Sequence, residues 1–349
     1  MDLQIAGILA QDGITSGAVY ALLALALVLV FSVTRVIFIP QGEFVAFGAM
    51  TLAAIQNGVA PQLTWLLMLM GALVFLLDAL AAWRAAPMRR PAAAFAANAA
   101  RNLVFPVCLH ALLKRLPLAD LPILLQAALA MLIVIPMGPM LYRIVYQRLS
   151  EAGTLVLLIV SVAVHFLLTG IALLVFGAEG ARAKAFSDAA VDLGGVTLSG
   201  QAIAVVLVSA ILIAALYLYF GRSLSGKALR ATAVNRRGAR LVGIGSYQAG
   251  KLAFGLAAAI GALSGVLIAP ITTIFYDSGF LIGLKGFVGA IVGGLVSYPL
   301  AAGGALLVGL LEAYSSFWAS SFKEVIVFTL IIPVLLWRSL SSKHAGDER

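Results

Sequence analysis

Polar chemistry is scarce in this chain and collects in a few places. The stretch "FIPQGEF", residues 38–44, sets Gln41, Gly42 and Glu43 between Pro40 and Phe44 inside otherwise apolar sequence. A glutamine and a glutamate two residues apart offer acceptor oxygens and one negative charge to an amine or amide group. Pro40 stops or kinks a helix there, and Gly42 lets neighbouring backbone approach. A second interruption, "GGLVSYPLAAGG" at 293–304, brings Gly293, Gly294, Tyr298 and Pro299. No catalytic set assembles: His110, His165 and His344 have no metal-ligand spacing, no serine sits in a nucleophile elbow, and no cofactor or metal is expected. The run from Gly221 to Lys227 fits G-x-x-x-x-G-K, but Ala228 stands where a magnesium-binding hydroxyl belongs and no strand precedes it, so it is not an ATP loop.

The elements that hold these residues must be membrane helices. Of 349 residues, 63% are hydrophobic and 11% charged, far from the roughly 45–50% apolar and 25% charged of a soluble domain. Charge-free windows at 13–34, 121–142, 152–178, 193–221, 252–276 and 286–311 all reach the ~20 residues that cross hydrocarbon. The longer window 44–77 is cut by Asn57, Gly58 and Pro61, and the last, 325–337, is short. About nine or ten helices follow, in an all-α polytopic membrane protein whose breaks lie near residues 38–44 and 293–304, because lipid forces backbone groups to pair within a segment or around a barrel and nothing alternates with barrel period. The first apolar segment lacks a basic n-region and cleavage site and is read as a retained helix. The single Cys108 leaves no intrachain disulfide.

Charge placement predicts orientation. Residues 222–251 hold seven basic side chains and no acid, which places that loop in the cytoplasm. Threading outward sets 177–200, with three acids and two bases, outside, 143–148 inside, Asp277 outside, the tail with Arg338 and Lys343 inside, and Asp2 and Asp12 outside. The net charge of +9 therefore reports topology and no nucleic-acid partner. Residues 84–118 form a basic insertion whose part 84–115 carries six basic groups and no acid. An even number of crossings must fit between Pro61 and Asp120: 65–83 supplies one, and 103–113, marred by Pro106 and His110, is either the second or a re-entrant piece of an amphipathic or disordered insertion. Three pairs at GxxxG spacing, Gly13/Gly17, Gly261/Gly265 and Gly289/Gly293, permit close helix contact. Packing within one subunit is preferred over a dimer seam. His165, inside the membrane, is read as hydrogen-bonded packing in preference to a polar path.

In the loop 222–250, apolar Leu229, Leu241, Val242 and Ile244 interleave with Lys227, Arg230, Arg236, Arg237 and Arg240, as short amphipathic helices on a membrane or partner surface require. Here "ALRATAVNRRGARLVGI" resembles the cytoplasmic coupling loop of LivH-type permeases of branched-chain amino-acid ABC importers. Arg237-Gly238-Ala239 followed by Gly243 keeps the spacing of the wider E-A-A-x-x-x-G signature, with arginine and glycine in its first two places. "GITSGAVYALLALALVLVFSVTRV" is similar to the family's first helix, and "LKGFVGAIVGGLVSYPLAAGGALLVGLLE" to its late block. "FIPQGEF" is the counterpart of N-F-A-H-G-[DE]-F: Gly42, Glu43 and Phe44 match, while Phe38, Pro40 and Gln41 replace asparagine, alanine and histidine. Residues 61–120 lie outside the resemblance.

The resemblance implies a single permease domain over 1–349, a transport subunit and not an enzyme, in a bacterial inner membrane with the N-terminus outside and the C-terminus cytoplasmic. It also implies a second permease subunit, ATP-binding subunits in the cytoplasm, a periplasmic solute-binding protein and lipid as partners. Gln41 to Phe44 with Gly293, Gly294, Tyr298 and Pro299 are then expected to line the substrate pathway, since transporters place solute where helices break. Leu229, Arg236, Arg237, Gly238, Ala239, Arg240 and Gly243 are expected to couple to the ATPase. Glu43 either lines that path or caps the helix after it. The competing class is an ion-coupled transporter running on Glu43, Asp78, His165 and Glu312, which the sequence leaves few and scattered.

Overall fold

The computed structural model describes residues 3–84, 92–187, 189–193 and 196–344. Eight helices among them are long and apolar enough to cross a membrane. They are α1 (Gln4–Thr34, extending to Leu3), α3 (Leu63–Trp83), α4 (Phe95–Leu113), α5 (Ile123–Tyr146), α6 (Thr154–Phe176), α7 (Gly200–Arg222), α10 (Ser246–Ile268) and α12 (Tyr298–Trp318). Between them lie α2 (Gln41–Gln56), α8 (Leu224–Val234), α9 (Arg236–Leu241) and α11 (Ser278–Val292), with α13 (Lys323–Thr329) and α14 (Ile331–His344) following. A short hairpin, β1 (Ala190–Leu193) with β2 (Val196–Ser199), is the sheet of the described residues. With α2 and α11 counted there are ten apolar helices among the described residues, two of them too short to cross, while the short window 325–337 is divided between α13 and α14.

Burial sorts the helices into centre and rim. The most apolar window of α1 is 83% buried and that of α10 67%, against 11% for α7. Fifteen residues of α2 are buried, so it is enclosed on all sides, as a helix apolar all round must be. The core therefore runs along α1, α2 and α10. The GxxxG pairs are spent on it: a Cβ on Gly13 or Gly17 would meet the backbone of Leu310 or Leu306, on Gly265 that of Val45, and on Gly289 that of Ala305. Gly261 rests on Phe44 and Gly293 against Ser297 and Ala301.

The basic insertion contributes α4, which pairs antiparallel with α3. Thr64 Oγ1 lies 2.7 Å from His110 Nδ1 at one end, and Asn98 donates to Asp78 at 3.2 Å toward the other. Both crossings that the charge threading needs between Pro61 and Asp120 are thus present as helices of sufficient length. Pro106 is accommodated by a π-helical turn immediately before it, Ala100–Val104. Asp2, Asp188 and residues 85–91 of the insertion lie outside the described residues, as do the side chains of Arg338 and Lys343.

Candidate functional site

Two helices are interrupted inside the bundle, and their restarts meet. α1 ends at Thr34; Arg35, at φ 63°, turns the chain, and α2 begins at Gln41. Gln41 Nε2 donates to the carbonyl of Ala257 at 2.9 Å, and Glu43 Oε1 lies 2.6 Å from Nδ1 of His165. Ala257 is the central residue of Ser246–Ile268, and His165 that of Thr154–Phe176. Both helices start at the end of the bundle that carries the basic loop, since Arg236 donates to the Ser150 carbonyl at 2.9 Å and Arg240 pairs with Glu151 at 3.2 Å. The start of α2 is therefore halfway across. From there α2 runs to the far end, where Gln56 accepts from the backbone of Lys184 at 2.6 Å.

The partner interruption is residues 269–277, not the segment the sequence pointed to. α10 ends at Ile268 and α11 starts at Ser278, already at the depth of Gln41. A Cβ on Gly279 would sit 2.6 Å from the Gly42 carbonyl oxygen and 2.9 Å from Glu43 Oε2, and one on Gly283 3.0 Å from the Gly42 Cα. Phe280 stacks on His165 with centroids 4.7 Å apart. α11 then runs back toward the loop end, where Ser32 Oγ lies 3.4 Å from the Leu295 carbonyl. Two helices of about 24 and 22 Å thus begin side by side at half depth and point opposite ways. Their N-termini, the positive ends of their dipoles, converge around Glu43.

The polar atoms there are incompletely used. Glu43 and Gln41 are fully buried, yet Glu43 Oε2 and Gln41 Oε1 have no hydrogen-bond partner. Thr51 Oγ1 on α2 and Ser264 Oγ on α10 share that state. Buried polar groups are otherwise nearly always paired, so the orphaned oxygens of Gln41 and Glu43, both in the first turn of α2, stand out. Apolar walls close around it. Phe38 fills the loop-end side, packed on Phe254, Phe44 and Tyr146 at 4.8, 5.9 and 5.9 Å. The cavity beside the α2 start, lined by Leu27, Phe38, Ile39, Phe280, Leu284 and Phe287, measures only about 10 Å³, barely one water. Packing is close at this depth.

Of the pathway residues expected from the sequence, the structure brings Gln41, Gly42, Glu43 and Phe44 together and sets the other four apart. The second break is shorter than 293–304, covering 293–297, because α12 is helical from Tyr298 and Pro299 sits in its first turn, where no N–H partner is lost. Gly294, at φ 63°, closes α11, with Gly294 N–H on the Ile291 carbonyl and Leu295 N–H on the Ala290 carbonyl. Tyr298 packs on Phe220 and faces Leu229 and Arg230, at the loop end. The carboxylates of the competing reading are less scattered than the sequence suggested, since Glu43 holds His165. The others are paired elsewhere: Asp78 with Arg143, and Glu312 with Lys285 at 2.6 Å, where it also accepts a hydrogen bond from the Tyr20 hydroxyl at 2.7 Å. The residues missed were Ala257, Gly279 and Phe280. The cue was "PITTIFYDSG", which a count of charges passes over because 252–276 is charge-free.

The loop forms two short capped helices. Ser223 accepts from Gly226 N–H and Asn235 from Gly238 N–H, each at 2.9 Å. α9 ends in a glycine cap: Gly243 takes φ 87°, with its N–H on the Arg240 carbonyl at 3.1 Å and that of Ile244 on the Ala239 carbonyl at 2.9 Å. Leu229 and Ala239, 1% and 4% exposed, point inward and fix the helices to the bundle, whereas Leu241 and Val242 stand 88% and 76% exposed. Arg236 and Arg240 tie the loop to Ser150 and Glu151, and Arg237 is exposed. Between α8 and α9 lies an open cleft of about 510 Å³ lined by Lys227, Arg230, Gly238, Ala239 and Val242 among others.

Half-length helices meeting at mid-depth, orphaned polar atoms between them and a rigid basic platform at one end define a multi-pass membrane transport subunit. Residues 9–335 match the family described as the permease component of branched-chain amino acid transport systems, and the chain belongs to that family. Among similar proteins, the permease protein BraD of the high-affinity branched-chain amino acid transport system of Pseudomonas aeruginosa is 30% identical over 239 residues, covering 65% of this chain and 77% of BraD. LivH of Escherichia coli K12 is 38% identical over 124 residues, 35% of this chain and 40% of LivH. LivH of Salmonella typhimurium shows the same identity and coverage. No solved structure matches the chain. It is accordingly a permease subunit that works with other components of an ABC transporter, and it is not itself an enzyme.

Proposed function

We propose that this subunit carries branched-chain amino acids, or small polar solutes of that kind, into the cytoplasm past Gln41, Gly42, Glu43 and Phe44. The observation that carries the reading is the pair of unpartnered oxygens on Glu43 and Gln41 where two helix N-termini converge. An ammonium group has three donors and would take both oxygens. A solute carboxylate would face the first amides of α11 beside Gly279. Phe38, Phe280 and Leu284 would enclose an apolar side chain. His165 orients Glu43 through Nδ1, and the closed cavity corresponds to a resting state that opens only when the helices shift.

Coupling belongs to the loop end. Cytoplasmic ATP-binding subunits would dock on the exposed Arg237, Leu241 and Val242 and in the cleft beside Gly238, while Leu229, Arg236, Ala239, Arg240 and Gly243 hold that platform in shape. Gly293, Gly294, Tyr298 and Pro299 join α11 to α12 beside the platform, so their proposed part is to relay its movement to α11, whose other end abuts Gly42. A second permease subunit, a periplasmic solute-binding protein at the far end, and an orientation in the bacterial inner membrane with the N-terminus outside and the C-terminus inside complete the reading.

Proteoliposomes test it. Leucine uptake should require this chain, its ATP-binding subunits, ATP and the binding protein together. Uptake by the chain alone, driven by an imposed proton or sodium gradient, would contradict it.

A further inference from the structure

The basic insertion builds a second cavity, away from the half-depth site. It holds about 280 Å³ between α3, α4, α5 and α10, with Arg101, Arg143 and Lys251 on its walls among Val74, Phe105 and Pro139. Arg143 is committed: it holds Asp78 through both Nε, at 2.7 Å, and Nη2. Asp78 also accepts from Asn98, which is bonded in turn to the buried Asn102. Among the described residues no carboxylate pairs with Arg101 or Lys251. Lys251 packs over the Tyr247 ring at 5.8 Å and is half-buried, five residues into α10. Three cations against one carboxylate leave two positive charges on the cavity walls without an ion pair among the described residues.

Two π-helical turns aim these groups at the cavity, Ala100–Val104 carrying Arg101 and Tyr142–Tyr146 carrying Arg143. Such turns cost regular helix bonding and recur at functional sites. The cavity lies at the loop end: Arg143 precedes the Ser150–Glu151 turn that Arg236 and Arg240 grip, and Lys251 follows the loop directly. Arg101 is exposed at its rim, and α4 presents Val104, Val107 and Leu112 outward beside it, as a helix against acyl chains does.

The geometry points to a binding site for one anionic phospholipid, its phosphate between Arg101 and Lys251 and an acyl chain along Val74, Phe105 and Pro139. Two cations without an ion pair at the rim of an apolar cavity suit an anion, and basic pockets between membrane helices take acidic head groups. The apolar walls give a hydrated anion nothing but suit a chain attached to the phosphate. Bound there, the lipid would clamp the insertion helix to the end of α10 that continues directly from the platform.

Native mass spectrometry of the purified full chain tests this, with phosphatidylglycerol and phosphatidylcholine of identical acyl chains as probes. The unaltered protein should bind one phosphatidylglycerol in preference to phosphatidylcholine, by about fivefold for each free cation engaged. Arg101→Gln and Lys251→Gln should each reduce that preference about fivefold, Lys251→Arg should keep it, and Arg115→Gln, on the same insertion but outside the cavity, should leave it unchanged. Equal binding of the two lipids by the unaltered protein would overturn the proposal without reference to any variant. So would an undiminished preference in the Arg101→Gln, Lys251→Gln double variant, or displacement of phosphatidylglycerol by inorganic phosphate, which would make this a phosphate site.

Discussion

Replacing Gly243 isolates one backbone angle from everything around it. Its φ is 87°, and a Cβ placed there meets nothing within 4 Å, so the penalty of a side chain is conformational alone. An L-residue in the left-handed region costs about 1–2 kcal/mol, asparagine least and a β-branched residue most. The two hydrogen bonds that Gly243 and Ile244 send back to Arg240 and Ala239 close α9 only with that angle. A loss of 1–2 kcal/mol corresponds to a factor of about 5–30 in the ratio of capped to frayed loop. If the capped loop is the form that docks, affinity for the ATP-binding subunits falls with its population. The assay is ATP hydrolysis stimulated by solute-loaded binding protein in the reconstituted complex, with permease abundance in the membrane measured alongside. Gly243→Asn should stay near the parent, Gly243→Ala should fall by up to about fivefold, and Gly243→Val should lose coupling, all at normal abundance. Parental coupling in the valine variant would refute the reasoning and move docking off this loop.

Orientation is tested by labelling on a Cys108→Ser background: a thiol at the exposed position Glu179 should react with an impermeant maleimide in intact cells and one at Ser225 should not. Reversed labelling would invert the protein. Close approach of α2 and α11 is tested by Gly42→Ala, whose Cβ would collide with the Gly279 carbonyl group. Overpacking of this kind costs about 1–3 kcal/mol, so thermal unfolding should begin at a lower temperature, whereas Gly170→Ala, with open space around it, should not shift the transition.

The membrane helices were legible because their signal is additive: a long apolar window needs no partner to be recognised, and loop charge orders the windows in sequence. The break at Gln41 was legible for the opposite reason, as polar residues are conspicuous in apolar surroundings. Its counterpart at 269–277 was hidden by similar reasoning, since "PITTIFY" is apolar enough to pass for helix. What ends the helix there is tertiary: Ile274 pairs with Ala181 of the far-end segment, and the Ala269 carbonyl accepts from Ala183. Pro299 misled in the other direction, because a proline in the first turn of a helix marks a start and not a gap. Within the loop, alternation of apolar and basic residues showed amphipathic helices but not which apolar residues face inward. Leu229 and Leu241 look alike in sequence and differ by the whole range of exposure, because only Leu229 reaches Leu29 and Val33 of α1.

The central claim, that solute passes beside Gln41 and Glu43 where α2 and α11 begin, meets its most direct test in parallel measurement of uptake, ATP hydrolysis and membrane abundance for Glu43→Gln and Gln41→Leu. Each should slow uptake or change solute preference while assembly with the ATP-binding subunits and abundance stay normal, because Glu43→Gln removes the negative charge and Gln41→Leu the amide that the proposed solute would meet. A carboxylate that merely caps α2 is worth about 0.3–1 kcal/mol, and its loss would leave flux nearly intact. Unchanged uptake of every branched-chain amino acid tested, in both variants, would contradict the account.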